Sequence, residues 1–137
     1  MIELFCRKSE NIWLPDDSVI TPLPVFDDLS LSAVMLNDSY YQLFEQGKVH
    51  VEGCSVLKIE YLILFKMYAW IDLKERAERG EPIDSRSVKE HKNDIFRLSA
   101  AVSASDPFSI GSEVLQDVDR FMKEIVLDPP DLKNLGV

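Results

Sequence analysis

Hydrophobic and polar positions alternate from the first residues of the chain. Ile2, Leu4 and Cys6 fall on one side of an extended segment and Glu3, Phe5 and Arg7 on the other, which is the two-residue period of a β-strand. A chain that opens inside a strand predicts further sequence upstream of Met1. Over 8–28, Pro15, Pro22 and Pro24 exclude a central strand and Asp16-Asp17-Ser18 supply turn chemistry, so a long connection is expected, with an edge strand over 19–26. Alternation returns at Leu29, Leu31, Ala33 and Met35 and fits a strand over 29–36 better than a short helix.

The period then changes. Asn37-Asp38-Ser39 offers helix caps ahead of Tyr40 and Tyr41, and Gly47 is a natural stop, which predicts one short helix. A short strand ending in a turn fits 49–53. The main helix is expected over 56–79: Leu57, Tyr61, Leu64, Tyr68 and Ile71 make one stripe and Leu62, Phe65, Ala69 and Leu73 another, so its first half is buried on most sides. Its second half turns charged and stops at Gly80 before Pro82. Asp84-Ser85 caps a helix over 85–103 whose stripe, Val88, His91, Ile95, Leu98 and Val102, includes a histidine. A last amphipathic helix over 109–126 places Val114, Val118, Phe121 and Ile125 inward.

These elements predict an α+β fold, a small mixed or antiparallel sheet from the N-terminal third packed on a bundle of three long helices and one short one. A single domain is expected over 1–128, strand-rich over 1–55 and helical over 56–128, with 129–137 an exposed tail. The length, 137 residues, suits one core, and a net charge of -9 argues against general nucleic-acid binding, which needs a basic face. Two cysteines are too few for a disulfide framework and the opening residues lack a signal-peptide pattern, so a reduced, cytoplasmic location is expected. The longest apolar run, 61–71, is interrupted by Lys66 and is shorter than the roughly 20 residues of a membrane span, which predicts no membrane association.

Lys66 is the only charge between Glu60 and Asp72, and positions 62, 63, 69 and 70 offer it no acidic partner. It is either a lysine that carries its ammonium to solvent along its methylene stem or a cation held in a pocket for phosphate. Asp94, at the border of the apolar stripe of the next helix, is either a surface carboxylate paired with Arg97 or the partner of Lys66. His91 reads as a core or interface histidine, and His50, His91, Cys6 and Cys54 have no zinc spacing. The pairs Asp16-Asp17 and Asp27-Asp28 read as turn residues, and Arg86, Lys89, Lys92 and Arg97 as a solvated face. There is no Gly-rich phosphate loop and no nucleophile elbow.

The segment Glu60-Tyr-Leu-Ile-Leu-Phe-Lys66-Met-Tyr-Ala69-Trp, followed by Lys92-Asn-Asp94-Ile-Phe-Arg-Leu98, resembles the C-terminal half of bacterial abortive-infection nucleotidyltransferase toxins of the AbiEii type, over roughly 29–102. The resemblance implies that Lys66 contacts nucleotide phosphates, that Asp94 matches the carboxylate of the last family motif, and that Mg²⁺ and a nucleoside triphosphate serve the full-length protein. The family's Gly-Ser and Asp-x-Asp segment is absent upstream of Lys66, and Glu3 alone stands where such folds place a third carboxylate. No complete metal site is therefore expected, and the chain as given should be inactive, since two-metal transfer needs carboxylates on both ions. Its partners would be a second copy in a homodimer, an antitoxin, or an N-terminal segment carrying the absent motif. The alternative is a non-catalytic protein-interaction domain derived from that fold.

Overall fold

The computed structural model describes residues 4–7, 20–25, 29–103, 107–130 and 135, with side chains from Leu36 onward. Ile2, Glu3, the side chain of Cys6, and the pairs Asp16-Asp17 and Asp27-Asp28 lie outside the described residues. The chain is α+β and forms two compact units, Met1–Gln46 and Gly47–Val137, where the sequence suggested one domain with its strand-rich and helical parts meeting at 55/56.

The first unit holds a three-stranded sheet of β1 (Leu4–Arg7), β2 (Ile20–Val25) and β3 (Leu29–Leu36), in the order β1-β3-β2. It is mixed: β1 runs parallel to β3, Leu4 opposite Ala33 through Arg7 opposite Leu36, and β2 runs antiparallel to β3. Pro22 and Pro24 put β2 at an edge, where a missing N–H leaves no gap in a central ladder. Helix α1 (Asp38–Gly47) follows directly. The Asn37 side chain accepts a hydrogen bond from the Tyr40 amide at 2.9 Å, satisfying one of the donors that a helix N-terminus leaves open. Leu36, Tyr40 and Leu43 are buried.

The second unit opens with a hairpin, β4 (Lys48–Val51) and β5 (Cys54–Leu57), where the sequence suggested one strand and a helix already begun at Val56. Glu52 (φ 49) and Gly53 (φ 81) are both left-handed, the conformation of a two-residue hairpin turn whose twist matches its strands. The Lys58 amide donates to the Gly47 carbonyl at 2.9 Å and closes the hairpin base. Helix α2 (Ile59–Glu78) starts there. A Cβ on Gly47 would lie within 2.7 Å of the Tyr61 Cβ and against its ring, so glycine allows this close approach as well as the stop.

Helix α2 buries Tyr61, Ile63, Leu64, Phe65, Met67, Trp70 and Ile71, close to the all-round burial expected of its first half. It ends at Gly80 (φ 85), where the Glu81 amide reaches back to the Arg76 carbonyl and the Gly80 amide to that of Ala77, a Schellman closure. The Arg76 guanidinium adds a 2.6 Å bond to the Glu81 carboxylate. Helix α3 (Ser85–Ala101) is capped by Asp84, whose carboxylate accepts from the Arg86 amide. Helix α4 (Ser112–Leu127) begins three residues later than the sequence suggested, because Phe108 stacks on Tyr61 with ring centroids 4.3 Å apart in the extended segment before it. Its Val114, Phe121 and Ile125 are buried, and Phe121 meets Trp70 edge-on at 5.1 Å, which fixes α4 against α2. The expected exposed tail is corrected at Leu135, which is 4% exposed: its carbonyl accepts a hydrogen bond from Arg97 at 3.1 Å, and an anchored leucine buries apolar area that a solvated tail would leave in water. Among the described residues no helix is long and apolar enough to cross a membrane.

Candidate functional site

Lys66 sits at the middle of α2 and Asp94 at the middle of α3, and the two helices bring Lys66 Nζ to 3.3 Å from Asp94 Oδ2. The two readings left open by the sequence for Asp94 coexist, for its other oxygen lies 3.4 Å from Arg97 Nη1 one turn along α3. Lys66 keeps 23% of its side chain exposed and Asp94 37%, so the pair stands at the rim of the core rather than inside it. At 3.3 Å the contact is longer than the roughly 2.7–2.9 Å of a tight charge-assisted hydrogen bond. The ammonium therefore has donors to offer a third group. Arg97 also holds the Leu135 carbonyl, so Leu135 is tied to the same cluster. His91 is half-buried one turn before Asp94.

The remaining charges of α2 do different work. Lys74 lies 4.7 Å from the Trp70 ring centre and pairs with Glu124, while Arg120 bridges Glu75 and Glu124, so two lysine or arginine cations and two carboxylates tie α2 to α4. Burial is the largest single influence on the Glu124 carboxyl and pushes it up, but the hydrogen bonds and charges of Lys74 and Arg120 together outweigh it and hold the group below the usual glutamate range. Asp72 moves the other way: burial raises it more than Arg76 lowers it.

A cleft of about 710 Å³ opens between the C-terminal half of α2, the N-terminal half of α3 and the residues that follow α4. Ile83, Val88 and Pro129 give it apolar walls, and Lys74, Lys89 and Lys92 bring ammonium groups to it. Lys92 is a correction to the expected solvated face. Its side chain is 12% exposed and donates to the Asp128 carboxylate at 2.7 Å and to the Asp128 carbonyl at 3.1 Å. That hydrogen bond holds the Asp128 carboxyl below the usual aspartate range. A separation of 36 positions along the chain hid this contact from any local reading of the sequence.

Glu3, the third expected site residue, lies outside the described residues. Asp94 is flanked by two cations, a setting that opposes a divalent metal, and among the described residues no cluster of three or more His, Cys, Asp or Glu side chains could hold one. The described arrangement can bind an anion at Lys66, but cannot by itself clamp two metal ions around a transferring phosphoryl group. No family model, curated protein or solved structure matches the chain.

Proposed function

We propose that the chain is the C-terminal part of a nucleotidyltransferase-like protein of the AbiEii toxin type, in which Lys66 binds nucleotide phosphates and Asp94 positions it. The observation that carries this reading is the Lys66–Asp94 contact across α2 and α3, which unites the two segments on which the resemblance rests. A lysine on a buried helix, held loosely by one carboxylate and still partly in water, is a cation whose position is fixed by the fold while its donors remain available. Nucleotide and Mg²⁺ chemistry belong to the full-length protein. This chain supplies a phosphate contact only.

Titration with inorganic triphosphate, followed by amide shifts of α2 and α3, tests the assignment. Saturable shifts centred on Lys66 that vanish in Lys66→Met support it; shifts unchanged in that variant sink it. Incubated with labelled nucleoside triphosphates, Mg²⁺ and tRNA or protein acceptors, the chain should transfer nothing. Transfer that disappears in Asp94→Asn would show a complete active site and overturn the reading.

A second reading, a non-catalytic interaction domain, is favoured by α4, whose Leu115, Met122 and Val126 are at least half exposed on neighbouring turns. The sheet order also leaves β1 at an edge, where a second copy could add a strand, which supports a homodimer. Sedimentation at micromolar concentration checks this, with Leu4→Lys expected to weaken association more than a charge change at Asp128.

A further inference from the structure

The Lys66–Asp94 pair leaves the 710 Å³ cleft unused, and the cleft sets lysine side chains beside apolar walls. Lys92 is the central group. Its side chain is only 12% exposed, yet the carboxylate that neutralises it belongs to Asp128, whose own side chain is 81% exposed on the segment just past α4. The partner of this largely covered lysine side chain is thus a group that loses little by returning to water. Lys89 stands on the same wall with no ion-pair partner among the described residues, and Lys74, already committed to Glu124, completes the basic side of the cleft. Glu78 is the opposing charge on the α2 side. The apolar walls of Ile83, Val88 and Pro129 lie beside these ammonium groups.

We infer that this cleft binds a small organic carboxylate, whose carboxylate displaces that of Asp128 from Lys92 and reaches Lys89 while its apolar body lies against Ile83, Val88 and Pro129. The chemical class follows from the occupant already there. Asp128 presents to Lys92 a carboxylate that is followed at once by the proline rings of Pro129 and Pro130, both of which line the cleft. An external carboxylate of similar bulk meets the same donors and the same apolar walls. It gains Lys89 in addition, and the residue it displaces becomes hydrated. The site is separate from the proposed phosphate contact, and its test does not depend on that reading.

Phenylacetate is a suitable probe, titrated into the chain while amide shifts are followed by NMR. Saturation at about millimolar concentration is expected of a ligand with so few heavy atoms. The shifts should centre on 83–92 and 128–130 and exceed those from acetate, which lacks the apolar body. Lys92→Met should weaken binding at least about tenfold, as for loss of a charge-assisted hydrogen bond, with Lys92→Arg retaining most of it. Asp128→Asn, which removes the internal competitor, should tighten binding about threefold, the scale of an exposed ion pair. Lys66→Met should leave binding unchanged. Absence of saturation, equal affinity in wild type and Lys92→Met, or weaker binding in Asp128→Asn would each overturn the assignment. Loss of binding in Lys66→Met alone would overturn it too, and would place the anion at the proposed phosphate contact instead.

Discussion

Removing Lys66 separates a structural staple from a binding group. Two fully desolvated charges in contact leave a penalty of about 3–5 kcal/mol when one is deleted, because the survivor stays buried and unpaired. Lys66 and Asp94 do not meet that condition, being 23% and 37% exposed and 3.3 Å apart, and Asp94 retains Arg97 at 3.4 Å when Lys66 is gone. The comparison is with exposed ion pairs, worth about 0.2–1 kcal/mol in double-mutant cycles. Lys66→Met also replaces a charged head by an apolar chain beside buried Ile63 and Met67, which offsets part of even that loss. Net stability should therefore remain within about 1 kcal/mol of wild type.

The assay is urea unfolding of wild type, Lys66→Met, Asp94→Asn and the double variant, with triphosphate affinity measured on the same four proteins. A coupling energy of about 0.5 kcal/mol is expected, beside at least a tenfold loss of triphosphate affinity in Lys66→Met, since a charge-assisted hydrogen bond contributes about 1.5–3 kcal/mol. A coupling energy above about 2 kcal/mol, together with unchanged triphosphate affinity, would refute the reasoning and make the pair a structural clamp.

Other expectations are quickly checked. Gly47→Ala should cost about 1–3 kcal/mol in urea unfolding, because its Cβ meets Tyr61 within 2.7 Å; an unchanged midpoint would mean that the Tyr61 ring yields freely. Phe121→Ala, which empties the site against Trp70, should cost about 3–5 kcal/mol. For Glu124, held below the usual glutamate range, the pair's stabilisation is present above the unfolded value of about 4.3 and is lost as pH falls through the lower folded value. Glu124→Gln should flatten the acid limb of the melting-temperature profile. Asp72 has the opposite sign: with its carboxyl raised by burial, it favours the fold at low pH and loses that contribution as pH rises through the folded value. Asp72→Asn should therefore raise the melting temperature at pH 7, and a lower one would show that the Arg76 contact outweighs burial.

The legible parts of the sequence were those governed by neighbours in the chain. Alternation marked β1 and β3, Pro22 and Pro24 marked β2 as an edge, and Asn37 and Asp84 marked two helix starts through amides two or three residues ahead. Strand β5 was missed because Val56 and Leu57 run without a break into the apolar stripe of α2, and four residues are too few for alternation to show. Lys66 was legible as a candidate because a lone charge in an apolar helix must find a partner beyond its own helix. Its pairing with Asp94 was suggested by the place of Asp94 at the border of the apolar stripe of the next helix, and the order of the two motifs agreed with it. Lys92 with Asp128 and Arg97 with Leu135 are 36 and 38 positions apart in sequence, so only the folded chain creates those contacts.

The charges of α2 divide by what they hold. Lys66, Trp70 and Lys74 follow one another at four-residue steps and so share a face of the helix. Yet Lys74 lies over the Trp70 ring and meets Glu124 within a four-membered group in which Arg120 also holds Glu75, all of it between α2 and α4. Each charge there is matched by an opposite one, and an incoming anion would have to break a close ion pair and also draw Lys74 off the Trp70 ring. Lys66 meets α3 instead, through one longer contact to a carboxylate that already has Arg97. An anion that draws Lys66 away leaves Asp94 still compensated, so the exchange costs the fold little. That asymmetry, rather than the mere presence of a lysine on an apolar helix, makes Lys66 the α2 cation suited to a ligand and Lys74 the one suited to structure. It also sets the order of effects: Lys74→Met should lower stability more than Lys66→Met, and Lys66→Met should lower triphosphate affinity more than Lys74→Met. Reversal of either order would remove the distinction.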